Sequence, residues 1–393
     1  MGINGFSKFF SEILVKKDIS ELKNKIVIVD AVYVIYKYCI AIRNTGKDYV
    51  NNEGNLSSHL FAIFNISSYL LKNNITPIFV FDGKTPEIKK NTILDRKKKK
   101  VKAINELNNN EIICDNNTYI KNFKKSFHLE EIHYLECQML LDSLSINYII
   151  APEEADSQCA TLSYYNDNIA GIISDDTDIL VFGATKLIKN FNIKTKSFEE
   201  YSHTDILNFI IEKANNIRIN HNLDMINNIS HKDFITYCIL LGNDYLDSIK
   251  YLKYDKIFEY LVLCDFDIIR FINYIKINCN DSKYSYNEEY LENYLDKFNN
   301  VYNYYLNSIV YDNTELIIHN NLNININLVE KLMCKYHNFS LDYIRDEINK
   351  IFINNIEINH NKNLRKDTRN TNIKNNILTS YKNSFSILSE VEA

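Results

Sequence analysis

Residues 25–30, Lys-Ile-Val-Ile-Val-Asp, form a short apolar run that ends in a carboxylate. Runs of this kind, rich in β-branched residues, are typical of strands buried on both faces of a parallel sheet. Similar runs lie at 77–82, 147–151 and 169–174, and helix-like segments separate them at 56–71, 129–144 and 152–165. This alternation predicts an α/β fold with a doubly wound, mostly parallel sheet flanked by helices.

Length and composition indicate a globular protein with one main domain and additions. The chain has 393 residues, of which 46% are hydrophobic and 24% charged, as in ordinary globular domains. No apolar stretch reaches the roughly 20 residues that a membrane helix needs, so we expect no membrane association. The 8 cysteines form no C-x-x-C pair, which argues against a zinc site and favours reduced thiols.

The chain changes character several times along its length. A polar stretch rich in Lys and Asn follows the second apolar run, an Asn-rich segment that looks like a loop insertion lies at 215–230, and mostly helical, Tyr-rich sequence follows residue 250. After about residue 359 the chain is polar, which favours a flexible tail. We therefore divide the chain into five regions: 1–83 and 129–250 as two parts of one core, 84–128 as a basic helical region, 251–355 as a helical region, and 356–393 as a tail.

Carboxylates recur at the ends of the apolar runs. They are Asp30, Asp82, Glu154, Asp156, Asp176 and Asp178, and Asp244 follows a helix in a Gly-Asn-Asp turn. A single Asp after a strand is a cap or turn residue about three times in four. The repetition argues for more, since ligands of open α/β sheets bind outside the carboxyl ends of the strands.

A cluster of carboxylates would repel itself unless cations neutralised it. Oxygen ligands without His or Cys suit Mg²⁺ or Mn²⁺ better than Zn²⁺. Two such ions about 4 Å apart hold a phosphodiester, activate a water and stabilise the leaving oxygen. The acidic residues therefore predict a nuclease that uses two Mg²⁺ ions, for which Mn²⁺ substitutes.

Six motifs resemble the flap endonuclease family of structure-specific 5′ nucleases, which includes the nuclease of nucleotide excision repair. In chain order they are MGINGFSKFF, IVIVDAVYVIY, PIFVFDGKTPEIKK, APEEADSQCA, IISDDTDILVFG and LLGNDYLDSI. They follow the family's order and nearly its spacing, and with LVEKLMCKYHNFSLDYIRDEI the resemblance covers about residues 1–355. It implies a PIN-like nuclease core, a helical arch at 84–128 and a duplex-binding region at 251–355.

The resemblance also assigns roles within the site. It makes all seven carboxylates metal ligands, with Asp82 and Asp176 catalytic, although the family usually has Glu where this chain has Asp156. Lys89 and Arg96 match two basic residues that contact the scissile phosphate. Seven residues apart, they would share one face of a helix and stabilise developing charge.

Further residues are implied to contact nucleic acid. Gly2 matches a residue near the active site, and Tyr36 matches an aromatic that stacks on a base, although a Tyr six residues after a strand is more often part of the core. Lys84 is the first residue of the basic region 84–128. The lysine run from Lys97 to Lys100 is a candidate for binding the backbone of a single strand. Two alternatives for this run are a solvated helix face and a nuclear-localisation signal. Three later lysines are candidates for the same role: Lys121, Lys124 and Lys125.

Two features depart from the family. The family's Gly-x-Gly hairpin, where backbone amides and a monovalent ion hold duplex DNA, is replaced by Tyr251-Leu252-Lys253. Without glycine the backbone approaches phosphate less easily, which argues against K⁺ near 249–253 and leaves Lys250 and Lys253 to bind by charge. Asn375–Tyr381 matches the family's sliding-clamp peptide poorly, so we expect no clamp partner.

The sequence thus predicts a 5′ flap endonuclease with 5′–3′ exonuclease activity, acting on branched DNA with a free 5′ strand in replication, repair or recombination. Two alternatives are a junction-binding scaffold that has lost nuclease activity and a related junction-resolving or RNA-directed nuclease. The family implies a monomer. The Asn-, Ile- and Lys-rich composition is typical of an AT-biased genome, such as that of a large DNA virus (a poxvirus or iridovirus) or a protist. This leaves the nucleus or the cytoplasm of an infected host cell as expected locations.

Overall fold

The computed structural model describes residues 2–109, 116–166, 168–278, 286–311 and 323–363. Seven strands form one sheet: β1 (Val15–Asp18), β2 (Ile26–Asp30), β3 (Thr76–Phe81), β4 (Asn147–Ile150), β5 (Ile169–Ile173), β6 (Lys186–Asn192) and β7 (Ser197–Ser202). Their order across the sheet is β1-β7-β6-β5-β2-β3-β4. The strands from β6 to β4 run parallel to one another, whereas β7 and β1 pair in antiparallel fashion at one side.

Helices occupy the connections between strands and most of the chain after β7. The first eight are α1 (Phe6–Phe9), α2 (Ala31–Arg43), α3 (Ser58–Lys72), α4 (Lys90–Asn109), α5 (Asn116–Lys125), α6 (Glu131–Ser143), α7 (Ala155–Tyr165) and α8 (Asp178–Val181). The others are α9 (His203–Asn220), α10 (His231–Leu241), α11 (Tyr254–Leu263), α12 (Ile268–Asn278), α13 (Glu288–Leu306), α14 (Ile326–Glu330) and α15 (Leu341–Asn363). Three short 3₁₀ turns (Ser11–Ile13, Ile19–Leu22, Glu87–Lys89) and a π-helical turn (Lys331–Tyr336) complete the described structure.

The sheet separates two hydrophobic cores, because successive residues of a strand point to opposite faces. In β2, Ile28 packs into the core formed with α1 and α7–α13. Its neighbours Val27 and Val29 pack into the core formed with α2, α3, α6, α14 and α15. This double burial confirms the predicted α/β architecture and explains why β2 is apolar at consecutive positions.

The central strands end together at one edge of the sheet. β2 lies between β5 and β3, with Asp30 opposite Val80 of β3 and Val29 opposite Ile173 of β5. The residues that follow these three strands therefore meet at the same edge, as the sequence predicted.

Several predicted boundaries are wrong. The helix predicted from residue 152 begins at Ala155, because the carbonyl oxygens of Pro152 and Glu153 accept bonds from the chain after β3. The loop predicted from Asn215 begins after Asn220, where α9 ends. The Asn215 side chain instead bonds both backbone groups of Ile226 and holds the following segment against the helix.

The end of the chain forms a second compact unit, residues 353–393, whose described part is the end of α15. That helix continues to Asn363, past the predicted tail boundary at 356. Residues 364–393, including the clamp-like peptide at 375–381, lie outside the described residues. In the described ranges, no helix has both the length and the apolar character required to cross a bilayer. The six cysteines there are free thiols, and five of them are buried.

A pair of histidines gives the core a predicted pH dependence. His203 Nε2 lies 2.8 Å from His231 Nδ1, where α9 and α10 begin. Burial and the neighbouring ring lower the pKa of His203 to about 4, and burial also lowers the pKa of His231. Because the unfolded chain protonates near pH 6.5, stability is complete above that pH and is lost as the pH falls towards 4.

We therefore expect the temperature of half-unfolding to decrease as the pH is lowered from about 6.5 to about 4. The variant His203→Gln should flatten this dependence, because the amide bonds without titrating. The exposed His221→Gln serves as the control and should leave the slope unchanged. An equal pH slope in the wild-type chain and His203→Gln would contradict the assignment.

Candidate active site

Two carboxylates sit directly at the ends of β2 and β3. Asp30 is buried and accepts hydrogen bonds from the Tyr33 N–H at 2.9 Å and the Ser174 hydroxyl at 2.9 Å. It thereby caps α2 while its neighbour Ser174 ties it to the end of β5. Asp82 accepts the Ala155 N–H at 2.8 Å, so it caps α7 from a different strand. Asp30 is the N-cap residue of α2, and Asp82 lies near enough to raise its pKa.

The loop after β5 and the turn after α10 bring three further carboxylates together. Oxygens of Asp176, Asp178 and Asp244 all lie within 4.8 Å of one another. Asp176 and Asp178 are buried and Asp244 is partly buried. The Asp178 N–H donates to Asp176 Oδ1 at 3.1 Å, which fixes the spacing of the two within the loop. In the described chain only this trio meets the spacing of a metal site.

The remaining acids are coupled electrostatically to this trio. Burial and the neighbouring Asp82 raise the pKa of Asp30 to about 7. Burial and Asp176 raise the pKa of Asp156, and the same causes raise the pKa of Asp178. The surrounding protein raises the pKa of Asp82 as well, although part of its surface is exposed. Neighbouring carboxylates repel one another and so disfavour one another's ionisation. A bound cation would relieve this repulsion.

The donor set fits a hard divalent cation. All three members of the trio offer carboxylate oxygen, the ligand that Mg²⁺ and Mn²⁺ prefer. Burial and the neighbouring acids raise the pKa of Asp178, and a bound cation would favour its ionised form. Asp30, Asp82, Glu154 and Asp156 belong to the same acidic cluster but lie outside the trio. Their role as ligands stays a prediction.

Basic side chains from the segment after β3 reach into the acidic cluster. Lys89 Nζ bonds Glu154 Oε1 and lies 3.8 Å from Asp244 Oδ2, while Arg96 donates to Asp244 Oδ2 at 2.5 Å. Burial disfavours the charge on Lys89, but Glu154 and Asp156 outweigh burial, so the pKa of Lys89 is raised. The Thr92 hydroxyl also bonds the Asp244 carbonyl. The start of α4 is thus anchored to the acids.

The sequence predicted Lys89 and Arg96 on one helix, and this is wrong in one respect. Lys89 ends a 3₁₀ turn that follows Pro86, whereas Arg96 lies within α4. Both side chains nevertheless converge on Asp244. The tighter turn brings Lys89 deeper into the cluster than Arg96, with side chains 13% and 45% exposed respectively.

The N-terminal segment packs against the loop that carries Asp176. The Ile3 N–H donates to the Thr177 hydroxyl at 2.8 Å. A Cβ added at Gly2, which has a φ of +98°, would lie 2.3 Å from Thr177 Oγ1 and 2.8 Å from Asp176 Oδ1. Only glycine therefore fits at position 2 without displacing an acid of the trio.

Other residues predicted to contact nucleic acid have no hydrogen bond to the trio among the described contacts. Tyr36 is half-buried and packs edge-on against Phe127 at 5.2 Å between ring centroids. The Lys124 ammonium donates to Asn44 Oδ1 at 2.9 Å. The remaining lysines are exposed: Lys84, Lys97, Lys121, Lys125, Lys250 and Lys253.

The turn before α11 has its own bracing. Tyr251 adopts a φ of +66°, a left-handed conformation that favours glycine. The Lys250 N–H donates to the Tyr290 hydroxyl at 3.2 Å, and the Tyr286 hydroxyl donates to the Lys250 carbonyl at 2.5 Å. Two tyrosines thus occupy the backbone groups of this turn.

Three tyrosines in contact with the acids were not predicted. Tyr245 and Tyr304 donate to Glu154 Oε2, the latter at 3.3 Å, and Tyr305 donates to Asp178 Oδ1 at 3.1 Å. Tyr245 directly follows Asp244 in the motif LLGNDYLDSI, whereas no sequence signal separates Tyr304 and Tyr305 from the rest of the chain's 28 tyrosines.

A parallel sheet with clustered carboxylates at its carboxyl edge defines an α/β nuclease core of the PIN-like class. The XPG N-terminal domain model matches residues 1–103 and the XPG I-region model matches residues 145–244. Flap endonuclease 1 of Monosiga brevicollis is 32% identical over 263 residues, which cover 66% of this chain and 67% of that protein. The protein of the same name from Methanococcus aeolicus is 34% identical over 245 residues, covering 60% and 68% respectively. The chain belongs to the flap endonuclease family.

Solved structures agree on the fold. The catalytic core of Rad2 in complex with DNA substrate is 22% identical, with a TM-score of 0.61 over 90% of this chain and 99% of that one. Flap endonuclease-1 from Methanococcus jannaschii is also 22% identical, with a TM-score of 0.61 over 89% and 99%. Both similarities cover far more of the chain than the two family models match.

Proposed function

We propose that this protein is a structure-specific 5′ flap endonuclease with 5′–3′ exonuclease activity, and that it hydrolyses phosphodiesters in branched DNA during replication, repair or recombination. The observation that carries the proposal is that acidic and basic side chains meet at Asp244. Three carboxylates lie within 4.8 Å of one another, and Lys89 and Arg96 reach Asp244 of that trio from the segment above it.

The acids and bases have separate roles in this proposal. Asp176, Asp178 and Asp244 would hold divalent cations together with Asp30, Asp82, Glu154 and Asp156. Two Mg²⁺ ions, or Mn²⁺ in their place, would supply Lewis-acid stabilisation of phosphate charge and lower the pKa of an attacking water. Lys89 and Arg96 donate hydrogen bonds to the non-bridging phosphate oxygens, where they stabilise developing negative charge. In the structure, Lys89 bonds Glu154 and Arg96 bonds Asp244. These bonds hold the two basic side chains where the phosphate would bind.

The substrate class follows from the segment between β3 and α6. α4 and α5 carry exposed lysines, and the start of α4 is bound to Asp244 through Thr92 and Arg96. This arrangement suits a single strand that approaches the acids along the two helices. The family suggests a monomer, and the poor match of residues 375–381 to the family's clamp-binding peptide argues against a sliding-clamp partner. The amino-acid composition, which is typical of an AT-biased genome such as that of a large DNA virus or a protist, suggests action in a nucleus or in the cytoplasm of a virus-infected cell.

A panel of labelled substrates tests the proposal. We expect a 5′ flap to be cut near the branch in Mg²⁺ and to remain intact with chelator, whereas a 3′ flap and single-stranded RNA should be poor substrates. Preferred cutting of a four-way junction would support a resolving enzyme instead. Tight binding of all branched DNAs without any cutting, in Mg²⁺ and in Mn²⁺, would support the scaffold alternative.

A second prediction concerns the turn before α11. Because Tyr286 and Tyr290 already occupy the backbone groups of Lys250, we expect flap binding not to depend on K⁺. Affinity, measured by fluorescence anisotropy without divalent cation, should be unchanged when Li⁺ replaces K⁺ at constant ionic strength. The Lys250→Ala and Lys253→Ala variants should each weaken binding and reduce the salt slope by about 1. Specific tightening by K⁺ would contradict this prediction.

A further inference from the structure

Four aromatic rings form a compact cluster beside the acids. Phe182 follows α8, Tyr245 follows α10, and Tyr304 and Tyr305 are neighbours near the end of α13. The ring centroids of Tyr245 lie 5.2 Å from Tyr304 and 5.4 Å from Tyr305, and Phe182 lies 4.8 Å from Tyr305. Each ring packs against two others of the cluster, which restricts its rotamers and holds the tyrosine hydroxyl groups in place.

The hydroxyl groups of α13 point at two different acids. Tyr305, which is buried, donates to Asp178 Oδ1 at 3.1 Å, and Tyr304 donates to Glu154 Oε2 at 3.3 Å. Glu154 also accepts a bond from Lys89, whereas no lysine or arginine of the described chain pairs with Asp178. Within the described contacts, the Tyr305 hydroxyl is therefore the side-chain donor that fixes Asp178.

A phenol differs from an ammonium group as a partner for such an acid. It is a neutral donor at pH 7, so it orients a carboxylate without cancelling the negative charge that attracts a cation. A carboxylate accepts about four hydrogen bonds or metal contacts, so one phenol leaves most of this capacity free. Outer partners of this kind orient metal ligands, and their loss typically weakens metal binding about 10- to 100-fold.

We propose that Tyr305 and Tyr304 are positioning residues that set the affinity of the acidic cluster for divalent cations, Tyr305 through Asp178 and Tyr304 through Glu154. The proposal rests on the metal site of the proposed function but not on the nature of the DNA substrate. It makes α13, a helix of the region after residue 250, part of the metal site. No sequence motif identified that helix with the chemistry.

The test measures metal binding by the full chain in the absence of DNA. Free Mn²⁺ is titrated by electron paramagnetic resonance with the wild type and with Tyr305→Phe, Tyr304→Phe and the double variant. Each substitution removes a hydroxyl and keeps the ring, so the aromatic cluster stays packed. Tyr302→Phe is the matched control, because Tyr302 lies on the same helix and packs on Phe298 at 5.9 Å, away from the acids.

We expect Tyr305→Phe to raise the Kd for Mn²⁺ about 10-fold or more, Tyr304→Phe to raise it less because Lys89 and Tyr245 still hold Glu154, and Tyr302→Phe to leave it unchanged. DNA cleavage, where present, should recover at high Mn²⁺ because only affinity is lost. Equal Kd values for the wild type and the double variant would overturn the proposal. A similar loss in Tyr302→Phe would also overturn it, since the effect would then be general to α13.

The outcomes separate this proposal from the proposed function. A wild-type chain that binds Mn²⁺, loses binding in Tyr305→Phe and cuts none of the DNA substrates would refute the nuclease and leave the positioning role intact. If the wild type cuts the 5′ flap and the double variant binds Mn²⁺ as tightly as the wild type, the nuclease is supported and the positioning role is refuted. Thermal unfolding of every variant, read at the same pH, shows that each is folded when it is titrated.

Discussion

Replacing Asp176 and Asp178 together by alanine is expected to lower the rate of 5′-flap cleavage by roughly 10³-fold or more. The two residues supply two of the three carboxylates that lie within 4.8 Å of one another. With Asp244 alone, the site keeps a single member of the trio and loses most of the charge that would attract a divalent cation. The measurement is single-turnover cleavage of a labelled 5′ flap in saturating Mg²⁺.

The same double variant should unfold at a higher temperature than the wild type when chelator is present. Burial raises the pKa of both Asp176 and Asp178, so ionising them at neutral pH costs folding free energy. Removing them relieves that cost, in the way that active-site residues often trade stability for function. Loss of cleavage with a raised unfolding temperature would separate a chemical role from misfolding.

Asp175→Asn is the matched control for this experiment. Asp175 precedes the trio directly, but its carboxylate faces the other way and accepts the Asn190 N–H at 2.7 Å, a bond that asparagine retains. Cleavage should change little. If the Asp176/Asp178 variant cuts at the wild-type rate, the trio is not the site of metal binding.

The parts of the fold that sequence predicted are those with an unambiguous burial pattern. β2, β3 and β5 are apolar at consecutive positions because both faces are covered, and the helix expected before the Gly-Asn-Asp turn is α10 (His231–Leu241). β6, β7 and β1 were missed. Their sequences, KLIKNFN, SFEEYS and VKKD, contain polar residues throughout, and their burial ranges from mixed in β6 to mostly exposed in β1. Such patterns do not distinguish a strand from a polar loop.

The site divides in the same way. Apart from Asp244, which follows α10, its carboxylates lie at or shortly after strand ends, so a parallel sheet brings them together by topology, and the sequence carries that information. The partners of the carboxylates come from remote elements. Tyr304 is 150 residues from Glu154 and Tyr305 is 127 residues from Asp178, and neither lies in a motif with turn or strand signals. Such contacts depend on how α13 packs, which local patterns do not specify.

Lys89→Ala and Arg96→Ala are each expected to slow cleavage about 10²- to 10³-fold while leaving flap affinity nearly unchanged. One phosphate contact among many contributes little to binding, whereas a donor aimed at the reacting phosphate stabilises charge that grows in the transition state. The two quantities are measured separately, as the single-turnover rate at saturating enzyme and as the Kd in Ca²⁺.

Lys90→Ala is the control for Lys89→Ala. Lys90 is adjacent in sequence and equally basic, but its ammonium pairs with Glu87 in an exposed ion pair, which contributes little to stability. It should retain the wild-type rate. A large loss for Lys90 as well would indicate a general need for positive charge, and equal losses in rate and affinity for Lys89 would make it a docking residue.

Charge balance explains why Lys89 and Arg96 should act in the reaction step. Both cations are now paired with Glu154 and Asp244, acids that the proposal assigns to divalent cations. Once divalent cations neutralise those acids, the ammonium of Lys89, whose side chain is 13% exposed, and the more exposed Arg96 guanidinium lose their partners, and for the buried ammonium this is costly. The scissile phosphate offers both groups a replacement partner. Because the negative charge on that phosphate grows in the transition state, removing Lys89 or Arg96 should affect the rate far more than the affinity.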